Sequence, residues 1–160
     1  ASILAVEARH STLISEINEA NGIPSPFDTP LTGSQVFSLA SGFLDTCPST
    51  NPALPFTAFA PLGVKSATLT PGQKVFFDVP QAKGPVYIHF LNGLTDKVSK
   101  LAEDGSAVLP EGSTGTVYAI ASYRQDGLDD PTTIAGPAIL ILARPNDKFA
   151  MFKKPANRLA

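Results

Sequence analysis

The sequence predicts a mainly β fold with N-terminal helices, in which a two-sheet sandwich follows a short helical segment. Three observations carry this prediction. Apolar residues recur at helical spacing from Ala1 to Ala20, a proline-rich stretch interrupts the middle of the chain, and from Val64 onward the period becomes alternating with closely spaced turn signals.

The first helix is expected over Ala1 to Ala20, closed near Asn21-Gly22, a pair suited to a left-handed C-cap, with Pro24 and Pro26 blocking continuation. Ile3, Glu7, His10, Ile14 and Ile17 step by four, three, four and three and share one stripe of the kind that faces a bundle core. Two ionisable groups then point inward among isoleucines, which is costly unless they pair, find hydrogen bonds or ligate a metal. Glu7 and His10 are therefore candidate metal ligands. A buried pair hydrogen-bonded with the help of Arg9 or a backbone carbonyl is the other reading. Ser2-x-x-Ala5 is no capping box and the apolar period runs to the first residue, so the helix reads as one entered part-way along. The alternative is a short helix that starts at Ser2 and packs on the rest of the chain.

A second helix of about three turns is expected after Asp28-Thr29-Pro30, capped by Thr32 or Ser34 and running through Gln35, Val36, Phe37, Leu39, Ala40 and Phe43. Residues 1–46 thus form a helical segment. Residues 47–63 are a connector in which Pro48, Pro52, Pro55 and Pro61 alternate with Leu54, Phe56 and Phe59; it should lie extended on a surface that takes its aromatics.

Strands are expected over Ser66 to Thr70, Lys74 to Val79, Val86 to Asn92, Lys97 to Leu101, Ser106 to Leu109, Gly115 to Tyr123, Thr132 to Ile134 and Ala138 to Arg144. Turns at Pro71-Gly72, Asn92-Gly93, Asp104-Gly105 and Asp126-Gly127 are among those that separate them. Short strands at this spacing indicate an immunoglobulin-like β-sandwich over residues 64–145. Alternation puts Val86, Ile88 and Phe90 on one side and Val117, Ala119 and Ala121 on one side, with Ile139, Ile141 and Ala143 filling the same core. The last strand is apolar on both sides, so it is central or covered. The tail, residues 146–160, sets Lys148, Lys153, Lys154 and Arg158 around Phe149, Met151 and Phe152, and reads as a solvated segment in preference to a docking arm.

With 160 residues and 43% hydrophobic content the chain can bury a sizeable core. Twelve basic against 14 acidic residues leave a net charge of -2, which gives no electrostatic reason to expect a nucleic acid or an anionic membrane as partner. No apolar run approaches the roughly 18 residues of a membrane span. Cys47 has no cysteine to pair with in the chain. It reads as a buried or unpaired structural thiol, or as one bridged to another chain or to a segment outside this sequence.

Nucleophilic chemistry lacks a motif: there is no Gly-x-Ser-x-Gly elbow, and Cys47 with His89 or His10 has no local pattern behind it. His89 falls opposite Ile88, with Tyr87 and Leu91, and is expected to be outward or partly covered and structural. Asp126, Asp129 and Asp130 lack the order of a calcium loop and read as a solvated turn. Tyr87, Tyr118 and Tyr123 offer aromatic surface for a carbohydrate, weakened by the absence of tryptophan.

The run Ser2-Ile-Leu-Ala-Val-Glu-Ala-Arg-His10, with Ser25-Pro-Phe-Asp-Thr-Pro30, Gln35-Val-Phe-Ser-Leu39 and Cys47-Pro-Ser-Thr-Asn-Pro52, resembles fungal ferritin-like proteins of the desiccation- and stress-associated group. The resemblance implies that the first helix corresponds to the last helix of a four-helix ferritin-like bundle, with a β-rich extension after it. It implies Glu7 and His10 as the metal-ligand positions, with iron, manganese or zinc as the ion. Such a bundle draws its ligands from four helices, and this sequence offers two matching ligands, both on one helix. The resemblance therefore points to a processed C-terminal portion of a longer precursor, secreted or cell-wall associated, that self-associates or holds a cleaved-off helical segment. A structural or protective role is expected, with ferroxidase activity doubtful. A secreted defence module whose sandwich loops bind carbohydrate or protein is the alternative.

Overall fold

The computed structural model describes residues 2–17, 22–23, 25–80 and 82–142. Ile23–Leu142 form one compact unit, and the N-terminal segment belongs to a second. The expected tail, residues 146–160, and the end of the last expected strand lie outside the described residues.

The N-terminal segment is a helix, α1, over Ser2–Ile17, and none of its residues is buried. Gly22 lies on the helix's polar side: its amide donates to Glu16 Oε1 at 2.9 Å, and its carbonyl accepts from the Thr12 hydroxyl at 3.4 Å. The isoleucine stripe lies on the opposite side.

The larger unit is mainly β. Its first element is α2, Gly33–Ser41, whose start is fixed by a capping box: the Thr32 hydroxyl accepts from the Gln35 amide, and Gln35 Oε1 accepts from the Thr32 amide at 2.9 Å. The proline-rich connector then runs back along α2. The Phe59 amide donates to Ser38 Oγ at 2.8 Å, and the Phe56 ring sits where a Cβ on Gly33 would be. That is where one of the connector's aromatics goes. Ala60 then forms a parallel bridge with Ala135.

Two antiparallel sheets follow. The smaller contains β1 (Gly63–Val64), β2 (Lys74–Asp78) and β5 (Ser106–Val108) in the order β1-β2-β5. The larger contains β3 (Tyr87–Asn92), β4 (Thr95–Lys100), β6 (Gly115–Ser122) and β7 (Thr133–Leu142) in the order β4-β3-β6-β7. One hydrophobic core joins them. Val75, Phe77 and Ala107 come from the smaller sheet, and Ile88, Phe90, Val117, Ala119 and Leu140 from the larger. The Phe77 and Phe90 rings meet across the sheets at a centroid distance of 6.1 Å with planes tilted by 58°, a geometry worth about 0.5–1.5 kcal/mol beyond burial.

Two expectations need correction. Ser66 to Thr70 is not a strand: the Ser66 hydroxyl accepts the Phe76 amide at 2.9 Å, taking the donor that a longer ladder would need, so pairing with β2 stops beside Lys65. The last strands, expected as Thr132 to Ile134 and Ala138 to Arg144, are the single β7, and its faces are reversed. Leu140 and Leu142 point into the core, whereas Ile139 and Ile141 are 51% and 70% exposed. The cause is an extra residue in β7. Ala119 pairs with Ala138 but Ala121 pairs with Ala135, so three β7 steps answer two in β6. Gly136 occupies that irregularity at φ 112°, with the Ala119 carbonyl oxygen 2.8 Å from where a Cβ would sit.

The turn before β5 shows how a short loop is held. Asp104 Oδ1 accepts from the Ser106 amide at 3.0 Å and from its hydroxyl at 2.5 Å, and Lys74 Nζ donates to Oδ2 at 3.0 Å. The Ser106 hydroxyl above all, with Lys74, lowers the Asp104 carboxyl to about 2 from the usual 3.8. Because the folded value is depressed, this contribution to stability is full above the ordinary carboxylate range and is lost as pH falls through about 2. A carboxyl-carbon NMR titration should place the Asp104 midpoint near 2, and Ser106→Ala should move it up toward 3.8.

Candidate functional site

His89 sits in the middle of β3, on the face turned away from the sandwich core. There it is 0% exposed. The expectation of an outward or partly covered ring is thus replaced by a fully enclosed one. Nδ1 lies 2.9 and 3.1 Å from the two carboxylate oxygens of Asp96, and Nε2 lies 2.8 Å from the Arg124 carbonyl oxygen. A carbonyl only accepts, so Nε2 carries hydrogen.

Local structure delivers these partners. The tight Asn92-Gly93-Leu94-Thr95 hairpin pairs Leu91 with Asp96 and His89 with Val98, which puts Asp96 diagonally beside the imidazole on the same face. Gly93 turns the hairpin at φ 58°, and its amide donates to Thr29 Oγ1 at 2.8 Å, tying the segment before α2 to this edge.

The loop after β6 is organised by its own acids. Arg124 Nη1 donates to Asp129 Oδ2 at 3.1 Å; Asp129 also caps the 3-10 turn Asp130–Thr132, accepting from the Thr132 amide at 3.1 Å and from the Thr132 hydroxyl. The Thr132 hydroxyl foremost, then its amide and Arg124, pulls the Asp129 carboxyl below the usual carboxylate range. Ser34 Oγ, buried at the start of α2, donates to Asp130 Oδ2 at 2.5 Å. Ser122 Oγ, fully enclosed, accepts from the Arg124 amide at 3.1 Å and donates to the Thr132 carbonyl at 3.2 Å. Asp129 and Asp130 are therefore taken up in holding the loop and α2. The sequence signal for this was Asp129 followed by Asp130-Pro131, an N-cap with proline inside the first turn.

The result is a clamp on the outer face of the larger sheet, running from β4 through His89 and the Arg124 loop to α2. It cannot serve as a catalytic base toward a substrate in this arrangement, because both ring nitrogens face internal partners. Of the tyrosines, Tyr118 pairs with Leu91 and Ile139 on the same face; partial burial and then the Asp28 charge push its phenol up. Tyr123 Oη accepts from the Lys83 amide at 3.1 Å. Cys47 is exposed and free.

Glu7 and His10 are elsewhere. Both are exposed on α1, so the inward placement expected for them is not realised within one chain. Among the described residues no group of three His, Cys, Asp or Glu side chains gathers to hold a metal. Two donors on an open helix surface fall short of the four or more that iron, manganese or zinc takes, so the described residues of one chain do not by themselves fit a resident ion.

No known protein family model matches the chain, and no curated protein matches it. Among the described residues no helix is long and apolar enough to cross a membrane.

Proposed function

We propose that this chain is a non-catalytic structural protein that works by self-association, with α1 as the associating element and the β unit as its stable body. The carrying observation is the bare stripe. Ile3, Val6, Leu13, Ile14 and Ile17 are exposed to between 39% (Val6) and 72% (Ile3), on a helix that buries nothing. A lone helix of this length is marginal in water and gains its stability from covering an apolar face.

The reading keeps the wider expectation as part of the proposal: an immunoglobulin-like sandwich preceded by the last helix of a ferritin-like bundle, processed from a longer secreted or cell-wall precursor with a stress-related role. Iron, manganese or zinc enters only as an adjunct, since donors from another chain must join Glu7 and His10. A carbohydrate- or protein-binding defence module is the weaker reading, because the Tyr123 hydroxyl and the Asp129 and Asp130 carboxylates of the acidic loop are committed to internal contacts.

Light scattering on the eluting protein tests the proposal. A species of at least twice the 16.7 kDa chain mass is expected, collapsing to the single-chain mass in Ile3→Ser/Ile14→Ser/Ile17→Ser while the β-sheet circular dichroism is retained. A single-chain mass for the parent protein at millimolar concentration would reject it.

A further inference from the structure

The stripe on α1 also specifies how two copies meet. We infer that α1 pairs with α1 of a second copy in antiparallel orientation, in the register that sets Glu7 of each chain against His10 of the other. This rests on the self-association proposed above and adds its geometry.

Ile3, Glu7, His10, Ile14 and Ile17 occupy successive seam positions of a two-helix coil, with Val6 and Leu13 widening the stripe along one side. In a parallel pair each seam residue meets its own copy. That places Glu7 on Glu7 and His10 on His10, two like-with-like layers between isoleucines, the arrangement that charge disfavours. Antiparallel packing instead sets alternate seam positions against each other. With the twofold axis midway between Ala8 and Arg9, the four central layers become Ile3–Ile14, Glu7–His10, His10–Glu7 and Ile14–Ile3.

Every layer is then complementary. The carboxylate accepts from an imidazole N–H of the other chain, which answers the desolvation of both groups, and each mixed layer is flanked on its outer side by paired isoleucines. Sliding one helix by a heptad puts Glu7 against Ile17 and His10 against Ile14, leaving both polar groups without a partner in the seam. The two polar residues therefore set orientation and register, as single polar seam positions do in coiled coils, and the isoleucines supply the attraction. Gly22 meets Thr12 and Glu16 on the opposite side of α1, away from this face.

Disulfide trapping of the full chain in a Cys47→Ser background tests the geometry. Ile3→Cys mixed with Ile14→Cys should cross-link into a mixed dimer under mild oxidation, whereas each variant alone should give little. Cross-linking of Ile3→Cys with itself would show a parallel pair and overturn the inference while leaving self-association standing. A dimer with no cross-link in the mixture would also overturn it. A single-chain mass for the Cys47→Ser parent by light scattering would overturn both. Charge reversal supplies a second readout: Glu7→Lys alone should weaken the dimer at least about tenfold, and Glu7→Lys/His10→Glu should restore it. Failure of the double variant to recover would count against the pairing of these two layers.

Discussion

His89→Ala should strongly destabilise the β unit, lowering unfolding stability by about 2–4 kcal/mol in urea titrations. The substitution strips partners from two acceptors at once. The Arg124 carbonyl is left without its 2.8 Å donor beneath the loop, and Asp96, 34% exposed at its side chain, loses the imidazole at 2.9 Å. It also empties space on a face where His89 and Ile120 are both fully buried. Asp96 regains some water, which keeps the loss below that of a wholly buried ion pair. Asp96→Asn should cost less, about 1 kcal/mol, because an amide can still donate to or accept from Nδ1. A loss under about 0.5 kcal/mol for His89→Ala would mean that the clamp contributes nothing to the fold. The loop should loosen with it, so amide exchange at Arg124 and at Thr132, whose partners all belong to this network, should accelerate more in His89→Ala than exchange in β2.

Gly136→Ala should destabilise the same unit by a comparable amount, about 2–4 kcal/mol. Two causes add. The backbone stands at φ 112°, where a side chain is strained, and the new Cβ would lie 2.8 Å from the Ala119 carbonyl and 3.2 Å from Ile120 Cα. These neighbours are backbone atoms of β6, which cannot swing aside. Relief requires shifting β7, and a shift of one residue would exchange Leu140 and Leu142 for Ile139 and Ile141 on the core face. The variant should therefore show a reduced urea midpoint and altered methyl shifts at Leu140. Parent-like stability would show that the irregularity in β7 is not what fixes its register.

These two positions also mark where the sequence stopped being legible. Strict alternation assigned Val86, Ile88, Phe90, Val117, Ala119 and Ala121 to one core, and all six are buried. In the run from Ala138 to Leu142 both faces are apolar, so alternation had nothing to choose between. The decision lies with a single glycine and its close approach to Ala119. For His89 the face was legible and the burial was not. The cover comes from a loop some 35 residues downstream, and one of the ring's two partners is a main-chain carbonyl, which leaves no trace in side-chain identity. Asp96 was within reach of reasoning, since a two-residue hairpin at Gly93-Leu94 fixes the diagonal neighbour of His89. Capping was readable at α2, where Thr32 and Gln35 stand three apart; the same logic at Asp129 and Pro131 was there to be used.

The stripe on α1 was equally readable, but its partner was not, because periodicity states that a face wants cover and is silent on what covers it. Among the described residues none of α1 is buried. The account therefore turns on whether that helix is stabilised by other copies, and amide hydrogen exchange across α1 measures this directly. Protection from Val6 to Ile17 should be slight in dilute protein and should rise steeply with concentration, in parallel with the apparent mass, while protection in β3 and β6 stays constant. Protection of α1 that is strong and independent of concentration would show a helix already satisfied within its own chain, and would contradict the account.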